Sequence, residues 1–409
     1  MKSKLLKNSV IVALCCGLLA GCGVTAPNQE ETGETVQIEV GTDDTTAVST
    51  DEVAEVPEEE PVAPEVYLKD VFAEHGMKVG TCLTPQMISS EGGKERIKNH
   101  FTSITCENAM KPDYIFDKTA SVAAGELIVE FNKDMITMLD WAVANDIAVR
   151  GHTLVWYSQT PSWIFYEDFN TGKNLVSKDV MMKRMESMIK QVFEKLEASG
   201  YTDVIYAYDV VNEAWMENGN VRQDNNLWYQ TMGEDFMYYA FYYADKYAPE
   251  TIDLYYNDYN EQYKADTLVR FVDTLKDESG RYLIDGVGLQ GHLYTNDDLD
   301  TYFKAIDKIA ATGLKVQITE LDVSLGSWQS VKPADENNLK KQGRFYYDLI
   351  NGIFERVDNG TLNSDALTFW GYCDSMSWRR NANPLLFDSL YRPKYAFYGA
   401  AQVKEFAGY

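Results

Sequence analysis

A chain of 409 residues and 46.4 kDa, 45% hydrophobic and 13% aromatic, has the composition of a globular protein and not of a fibrous or wholly disordered one. Its 63 acidic against 37 basic residues give a formal net charge of −26, which argues against a nucleic-acid binder, because neutralising phosphates needs a basic surface. The length accommodates one large α/β domain or two or three smaller ones.

Residues 1–22 read as a secretion signal. Lys2, Lys4 and Lys7 supply the positive end, and Val10 to Ala20 is an apolar run of 11 residues. That is short of the roughly 20 needed to span a bilayer. The run ends in Leu19-Ala20-Gly21-Cys22, which resembles a bacterial lipobox. The expectation is that Cys22 is lipidated and becomes the new N-terminus. The product is then an exported, membrane-anchored lipoprotein at the cell surface, touching the membrane through its lipid alone. The alternative is an ordinary signal peptide in which Cys22 is incidental. Residues 23–66 hold 13 acidic residues, no aromatic, no Lys and no Arg. Such a segment cannot bury enough apolar surface to offset its ordering entropy, and its like charges extend it. It reads as a disordered acidic tether, with a docking tail for a basic partner as the rival. Removing signal and tether leaves a net charge of −16 on residues 67–409.

From Tyr67 onward, short β-rich runs alternate with amphipathic stretches. The runs are Lys78–Leu83, Thr102–Cys106, Ala148–Val155, Ala207–Val211, Asp253–Asn257, Gly286–His292, Lys315–Glu320 and Ala366–Tyr372. Helices are predicted over Lys133–Asn145, Asp179–Ala198, Asp297–Ala311, Asp335–Asp358 and Pro393–Phe406. Met181, Met185, Met188, Val192 and Leu196 form one stripe at helical spacing, which reads as core packing. Asp297 and Asp335 stand where N-caps belong. Eight strands alternating with helices predict a (β/α)8 TIM barrel forming a single catalytic domain over 67–409. A doubly wound sheet is the alternative, but Gly80-Thr81-Cys82 is no GxGxxG turn. Cys82, Cys106 and Cys373 fit neither a CxxC pair nor a zinc set, and read as buried small hydrophobes. His75 and His100 have no motif around them and are expected at the surface.

In such barrels the active site lies at the carboxyl ends of the strands. The second run closes on Glu107-Asn108-Ala109-Met110-Lys111 and the third on His152-Thr153-Leu154-Val155-Trp156. The fourth closes on Asn212-Glu213, the sixth on Gln290-Gly291-His292 and the seventh on Glu320-Leu321-Asp322. The eighth carries Trp370, followed by Trp378-Arg379. Polar groups closing apolar strands are costly to bury unless they bond to something. One such end is a turn device; six at the same end of successive strands mark a site. No His/Cys cluster suggests a metal, and no Ser lies in a GxSxG elbow. Glu213 and Glu320 remain as a carboxylate pair, and with the nearby Trp residues they point to glycoside hydrolysis. Gln290 and His292 are two apart, so on one strand they face the same way. Asn212 and Glu213 are adjacent, so they must sit where the strand breaks into its loop. Asn257 and Asp258 also read as turn formers and carry little weight.

These residues resemble the family 10 glycoside hydrolases, the endo-β-1,4-xylanases, over essentially all of residues 67–409. Glu107–Lys111, Gly151–Trp156, Asp209–Glu213, Asn257–Asn260, Gly288–Leu293, Ile318–Asp322, Trp370–Tyr372 and Ser377–Arg379 are similar to that family's motifs and follow its order. The resemblance implies Glu213 as general acid/base and Glu320 as nucleophile. It implies Asn212 on the 2-hydroxyl of the reacting sugar, His292 holding Glu320, and Asp322 holding His292. Glu107, Asn108 and Lys111 would bind the next sugar on the non-reducing side. His152, Trp156, Gln290, Trp370 and Trp378 would line the pocket of the reacting sugar. The implied activity is retaining endo-hydrolysis of xylan and xylo-oligosaccharides by a monomer without metal or organic cofactor. The rivals are a β-1,4-glucanase or mixed-linkage glucanase on the same fold, and a non-catalytic sugar-binding lipoprotein. One departure is Tyr157, where many members have His; it bears on hydrogen bonding around the third-strand loop and on the pH profile.

Overall fold

A computed structural model describes residues 62–409 of the chain. The predicted signal, the lipobox-like Cys22 and all but the last few residues of the predicted acidic tether lie outside the described residues.

Eleven strands occur among the described residues: β1 Lys78–Leu83, β2 Ser103–Cys106, β3 Ala148–Trp156, β4 Ile205–Asn212, β5 Asp253–Asp258, β6 Gly286–Leu289, β7 His292–Tyr294, β8 Lys315–Ser324, β9 Gly326–Ser327, β10 Ser330–Val331 and β11 Ala366–Phe369. Eight of them, β1 to β6 with β8 and β11, pair in parallel around a ring. The ring closes where β11 pairs with both β8 and β1. This is the expected barrel. Its strands are buried on both faces, inside by one another and outside by helices, which is why they read as continuous apolar runs.

The helices follow the predicted stripes. Lys178–Ala198 buries Met181, Met185, Met188, Val192 and Leu196, and Ser177 caps it by accepting from the Val180 N–H. Asp335 caps Glu336–Asp358, accepting from the Asn338 N–H at 2.9 Å. Asp297 is not a cap. Asp298 caps Leu299–Ala310, while Asp297 turns back to accept from the Tyr294 N–H at 2.8 Å and closes the preceding turn. The stretch Pro393–Phe406 is α-helical only over Tyr395–Ala400. It then breaks at Gln402, which has a φ of +59°, and ends in a 3₁₀ turn. His100 is only partly exposed. Its ring lies 5.4 Å from Phe387 and 5.3 Å from Phe397, and burial pulls its pKa down to about 4. The polar context of the helix end gave no sign of these aromatics, nearly 300 residues away. His75 is half-covered, stacking on Phe354 at 3.8 Å with Nδ1 at 2.9 Å from Asp358. Cys82, Cys106 and Cys373 are unpaired and buried.

The barrel interior contains a buried ion pair. Arg150 on β3 holds Asp209 on β4 through both terminal nitrogens, and its Nε donates to Gln317 on β8 at 3.1 Å. Space for this group depends on Gly288, where a β-carbon would stand 3.1 Å from the Arg150 guanidinium and 2.4 Å from Asn257 Oδ1. Removing one partner strands the other charge without water. Asp209→Ala is therefore expected to destabilise the barrel by about 3–5 kcal/mol, read as a lower urea midpoint at unchanged slope.

Candidate active site

Every predicted site residue among the described residues except Asp322 lines one open cleft of about 1060 Å³ at the carboxyl ends of the strands. Asp322 lies directly beneath it, fully buried.

Asn212 ends β4, and Glu213 follows with a φ of +55°. That left-handed backbone costs a residue with a β-carbon about 1–3 kcal/mol. It is how two adjacent side chains both reach the cleft. Glu213 accepts from Trp156 Nε1 at 3.0 Å and from Gln290 Nε2 at 3.0 Å. Burial pushes its carboxyl above the usual range against the pull of Gln290, and the negative charges of Asp258 and Glu320 add to the rise.

Glu320 sits mid-β8, 5% exposed. One oxygen accepts from Asn257 Nδ2 at 2.8 Å, and the other faces His292 Nε2 at 3.4 Å. Burial alone would raise this carboxyl as well. The His292 contact, together with neighbouring His152 and Lys111, more than offsets that and holds it down at about 2. His292 Nδ1 lies 3.1 Å from Asp322, which also accepts from Trp378 Nε1 at 3.0 Å and from Arg379. Burial opposes the imidazolium, but the flanking Asp322 and Glu320 keep it charged, with a pKa of about 10. The two carboxyls of one cleft are thus driven apart: one toward the acid, the other firmly an anion.

The sequence reading of Gln290 and His292 on one strand is corrected. The strand stops at Leu289, and Gly291 turns with a φ of +74°. His292 opens β7, which pairs with β8 opposite Asp322. Both side chains still reach the cleft, through a break and not through shared parity. The buried Glu261 carboxyl holds this break by accepting from the Gly291 N–H at 3.1 Å.

The other predicted residues fall around the pair. Lys111 Nζ donates to Asn108 at 3.0 Å and to Gln159 at 2.8 Å, and stands 5.0 Å from the centre of the Trp156 ring. Glu107 lines the same end of the cleft. His152 is buried, with Nδ1 2.8 Å from Asp209 and its ring edge-on to Trp370 at 5.6 Å. The Asn212 amide packs on that of Asn257 at 2.9 Å. Tyr157 lies under the Arg222 guanidinium at 4.4 Å, and burial pushes its phenol up to about 12, so it stays neutral where a histidine could titrate.

Asn257 is the residue that the sequence reading undervalued. It is no turn former but part of β5, fully buried, bonding Glu320 and accepting from Thr319 Oγ1 at 2.6 Å. The available signal was its place at the end of the fifth run, in register with Asn212. Asp258 is likewise in the strand and buried. Tyr263 and Trp328, 66% and 82% exposed, are cleft-lining aromatics that carried no motif.

The chain is similar to known proteins. The model of the family "Glycosyl hydrolase family 10" matches residues 67–403. The chain is 40% identical over 337 residues to the bifunctional endo-1,4-beta-xylanase XylA of Ruminococcus flavefaciens, covering 81% of this chain and 33% of that protein. It is 31% identical over 350 residues to an endo-1,4-beta-xylanase of Geobacillus stearothermophilus, covering 82% and 98%. Among solved structures, the CBM22-1–GH10 modules of a Clostridium thermocellum endo-1,4-beta-D-xylanase, complexed with xylohexaose, superpose with a TM-score of 0.74 at 34% identity, covering 84% of this chain and 68% of that one. The chain spans about a third of the length of the first two curated relatives. With the match running from the first helix past the last strand, and the paired carboxyls where the barrel places them, the chain belongs to glycosyl hydrolase family 10.

Proposed function

We propose that this chain is an endo-β-1,4-xylanase that hydrolyses internal bonds of xylan with net retention. The observation that carries the reading is the carboxyl pair in one cleft, with Glu320 held as the anion and Glu213 pushed toward the acid. The printed names of the relatives support xylan as the substrate.

In the first step the Glu320 carboxylate attacks the anomeric carbon. The glycosidic bond breaks, and Glu213 gives its proton to the departing oxygen. In the second step the Glu213 carboxylate takes a proton from water as that water attacks the same carbon and releases Glu320. Asn212 holds the 2-hydroxyl. His292, steadied by Asp322, keeps Glu320 charged until attack. Glu107, Asn108 and Lys111 hold the next sugar. His152, Trp156, Gln290, Trp370 and Trp378 enclose the reacting one.

Reducing ends are expected to form rapidly from xylan and negligibly from carboxymethylcellulose. Proton NMR is expected to show the β-anomer first. Equal cleavage of both polymers, or an initial α-anomer, refutes the reading.

The same proposal includes lipidation of Cys22 and display on the acidic tether of residues 23–66, supported by the lipobox and the charge run. Incorporation of a radioactive fatty acid that disappears in Cys22→Ser tests it.

A further inference from the structure

Lys264 and Asp258 are both fully buried, and neither lines the cleft. Lysine is almost never fully buried unless paired. Here Nζ donates to Asp258 Oδ1 at 2.7 Å beneath the Tyr259 ring, 3.9 Å from its centre. The other carboxylate oxygen of Asp258 accepts from the Tyr256 hydroxyl at 2.5 Å. That hydroxyl in turn accepts from the backbone N–H of Ala214 at 3.0 Å and of Trp215 at 3.3 Å. A phenol oxygen has two acceptor positions and one proton. Both acceptor positions are taken by the backbone, so the proton is committed to Asp258; burial raises the Asp258 carboxyl, and the ammonium of Lys264 opposes that rise and favours the anion.

Ala214 and Trp215 are the two residues that follow Glu213. The Glu213 backbone is in the left-handed region, a conformation that persists only where the surroundings over-determine it. The chain is gripped from the other side as well. Arg222 Nε donates to the Glu213 carbonyl at 3.2 Å, and its Nη2 donates to the Tyr259 hydroxyl at 2.8 Å.

We infer that Lys264, Asp258 and Tyr256 form a buried clamp that positions Glu213: the ion pair orients the Tyr256 hydroxyl, and the hydroxyl fixes the two backbone N–H groups that aim the Glu213 carboxyl at the leaving oxygen. The negative charge of Asp258 acts on Glu213 as well, favouring its protonated form. These are positioning residues, since none touches the cleft. The inference rests on Glu213 being the acid/base.

The pathway is continuous and short, running from the helix Glu261–Val272 through β5 to the turn after β4. It also accounts for a costly choice. A buried ion pair is often no more stabilising than well-packed apolar residues of the same volume, so fold stability alone does not require one here. The charged groups around Asp258 are Lys264 and Glu261, with the Tyr256 and Tyr259 phenols. Those facing Glu213 are Asp258, Glu320, Lys111 and Arg222, with the Tyr157 and Tyr259 phenols. Burial is the largest influence raising Glu213, and among its neighbours Asp258 adds more to the rise than Glu320 does.

The test separates aim from abundance. Tyr256→Phe keeps the ring and every charge and deletes only the clamp's hydroxyl. Its kcat/KM is measured on xylohexaose, whose leaving group needs a proton, and on a dinitrophenyl β-xylobioside, whose leaving group does not. Active sites are counted by the burst of dinitrophenolate, so a poorly folded fraction cancels. The expected loss is about 10–100-fold on xylohexaose and within about twofold on the activated substrate, where general-acid help is not needed. Asp258→Asn is expected to move the basic limb of kcat/KM on xylohexaose to lower pH, because removing a nearby negative charge lets Glu213 ionise earlier. Parallel loss on both substrates overturns the clamp. A basic limb that stays in place overturns the action of the Asp258 charge. Glu213→Ala run on the same pair isolates the premise: if that variant loses both substrates equally, the acid/base reading fails. If it shows the leaving-group split and Tyr256→Phe does not, the clamp alone fails.

Discussion

Glu320→Ala is expected to abolish xylan hydrolysis, with kcat down on the order of 10⁵-fold, as when a covalent nucleophile is deleted elsewhere. The barrel should survive the change. Xylo-oligosaccharide affinity should be nearly kept, because the subsite residues Glu107, Asn108, Lys111 and the flanking Trp side chains are untouched. Single-turnover kinetics beside calorimetric binding reads the two effects separately. A variant that binds poorly and turns over normally once saturated contradicts the role. The pH dependence has a definite sign. Glu320 is held down at about 2 despite its burial, because His292 faces it at 3.4 Å and His152 and Lys111 lie near. The acid limb of kcat/KM should therefore lie well below the ordinary glutamate range. His292→Asn removes the larger positive influence while burial remains. The Glu320 pKa then rises, and the acid limb moves to higher pH. The Asp322 side chain, left buried without the imidazolium, keeps Arg379 as its charged partner.

Glu213→Ala is expected to lower kcat on xylan by about 10²–10⁴-fold, the usual worth of a positioned acid/base. On a substrate with a dinitrophenyl leaving group the first step needs no acid, so the glycosyl-enzyme forms and accumulates. Azide then enters the space vacated by the carboxylate and attacks without a base. It should restore much of the turnover and yield a β-glycosyl azide. Absence of rescue, or an α-azide, counts against the assignment. The basic limb of the wild-type profile belongs to the same group. Burial, Asp258 and Glu320 all raise the Glu213 carboxyl, so its proton is lost at higher pH than an exposed glutamate would lose it. Activity on xylan, which requires that proton, should persist correspondingly further toward neutral pH. The neutral Tyr157 beside Arg222 adds no titration of its own in that range.

Much of the site could be read before the fold was seen, because the barrel places chemistry at one repeated location. A polar or aromatic residue closing an apolar run is conspicuous when it recurs at six runs and each run is a strand with the same polarity. Glu107, Asn212, Glu213, Glu320 and Trp370 were all legible in that way. Asn257 obeyed the same rule at the end of the fifth run. It was undervalued because Asn next to Asp is also what a turn looks like. The cap on Leu299–Ala310 was misplaced by one residue for a similar reason: Asp297 and Asp298 are identical in type, and only the geometry of the turn assigns one to the helix and the other to Tyr294.

The amino-acid sequence by itself determined the strand and helix alternation, the buried faces of the long helices, and the two carboxyls at the ends of the fourth and seventh apolar runs. Each is a local property, set by burial period and residue type along one element. Only the tertiary structure decided which groups meet across the barrel. Arg150 finds Asp209 and Gln317, Asn257 finds Glu320, and Tyr256 reaches back to the turn after Glu213. The same closure places His292 against Asp322 through a broken strand and packs His100 against distant aromatics. These contacts depend on ring closure and strand register, which bring together residues nearly 300 positions apart. The opposite charge states of Glu213 and Glu320 belong to this second class. Burial raises both glutamates, but one faces a protonated histidine that overrides it, while the other has buried negative charge beside it that adds to the rise.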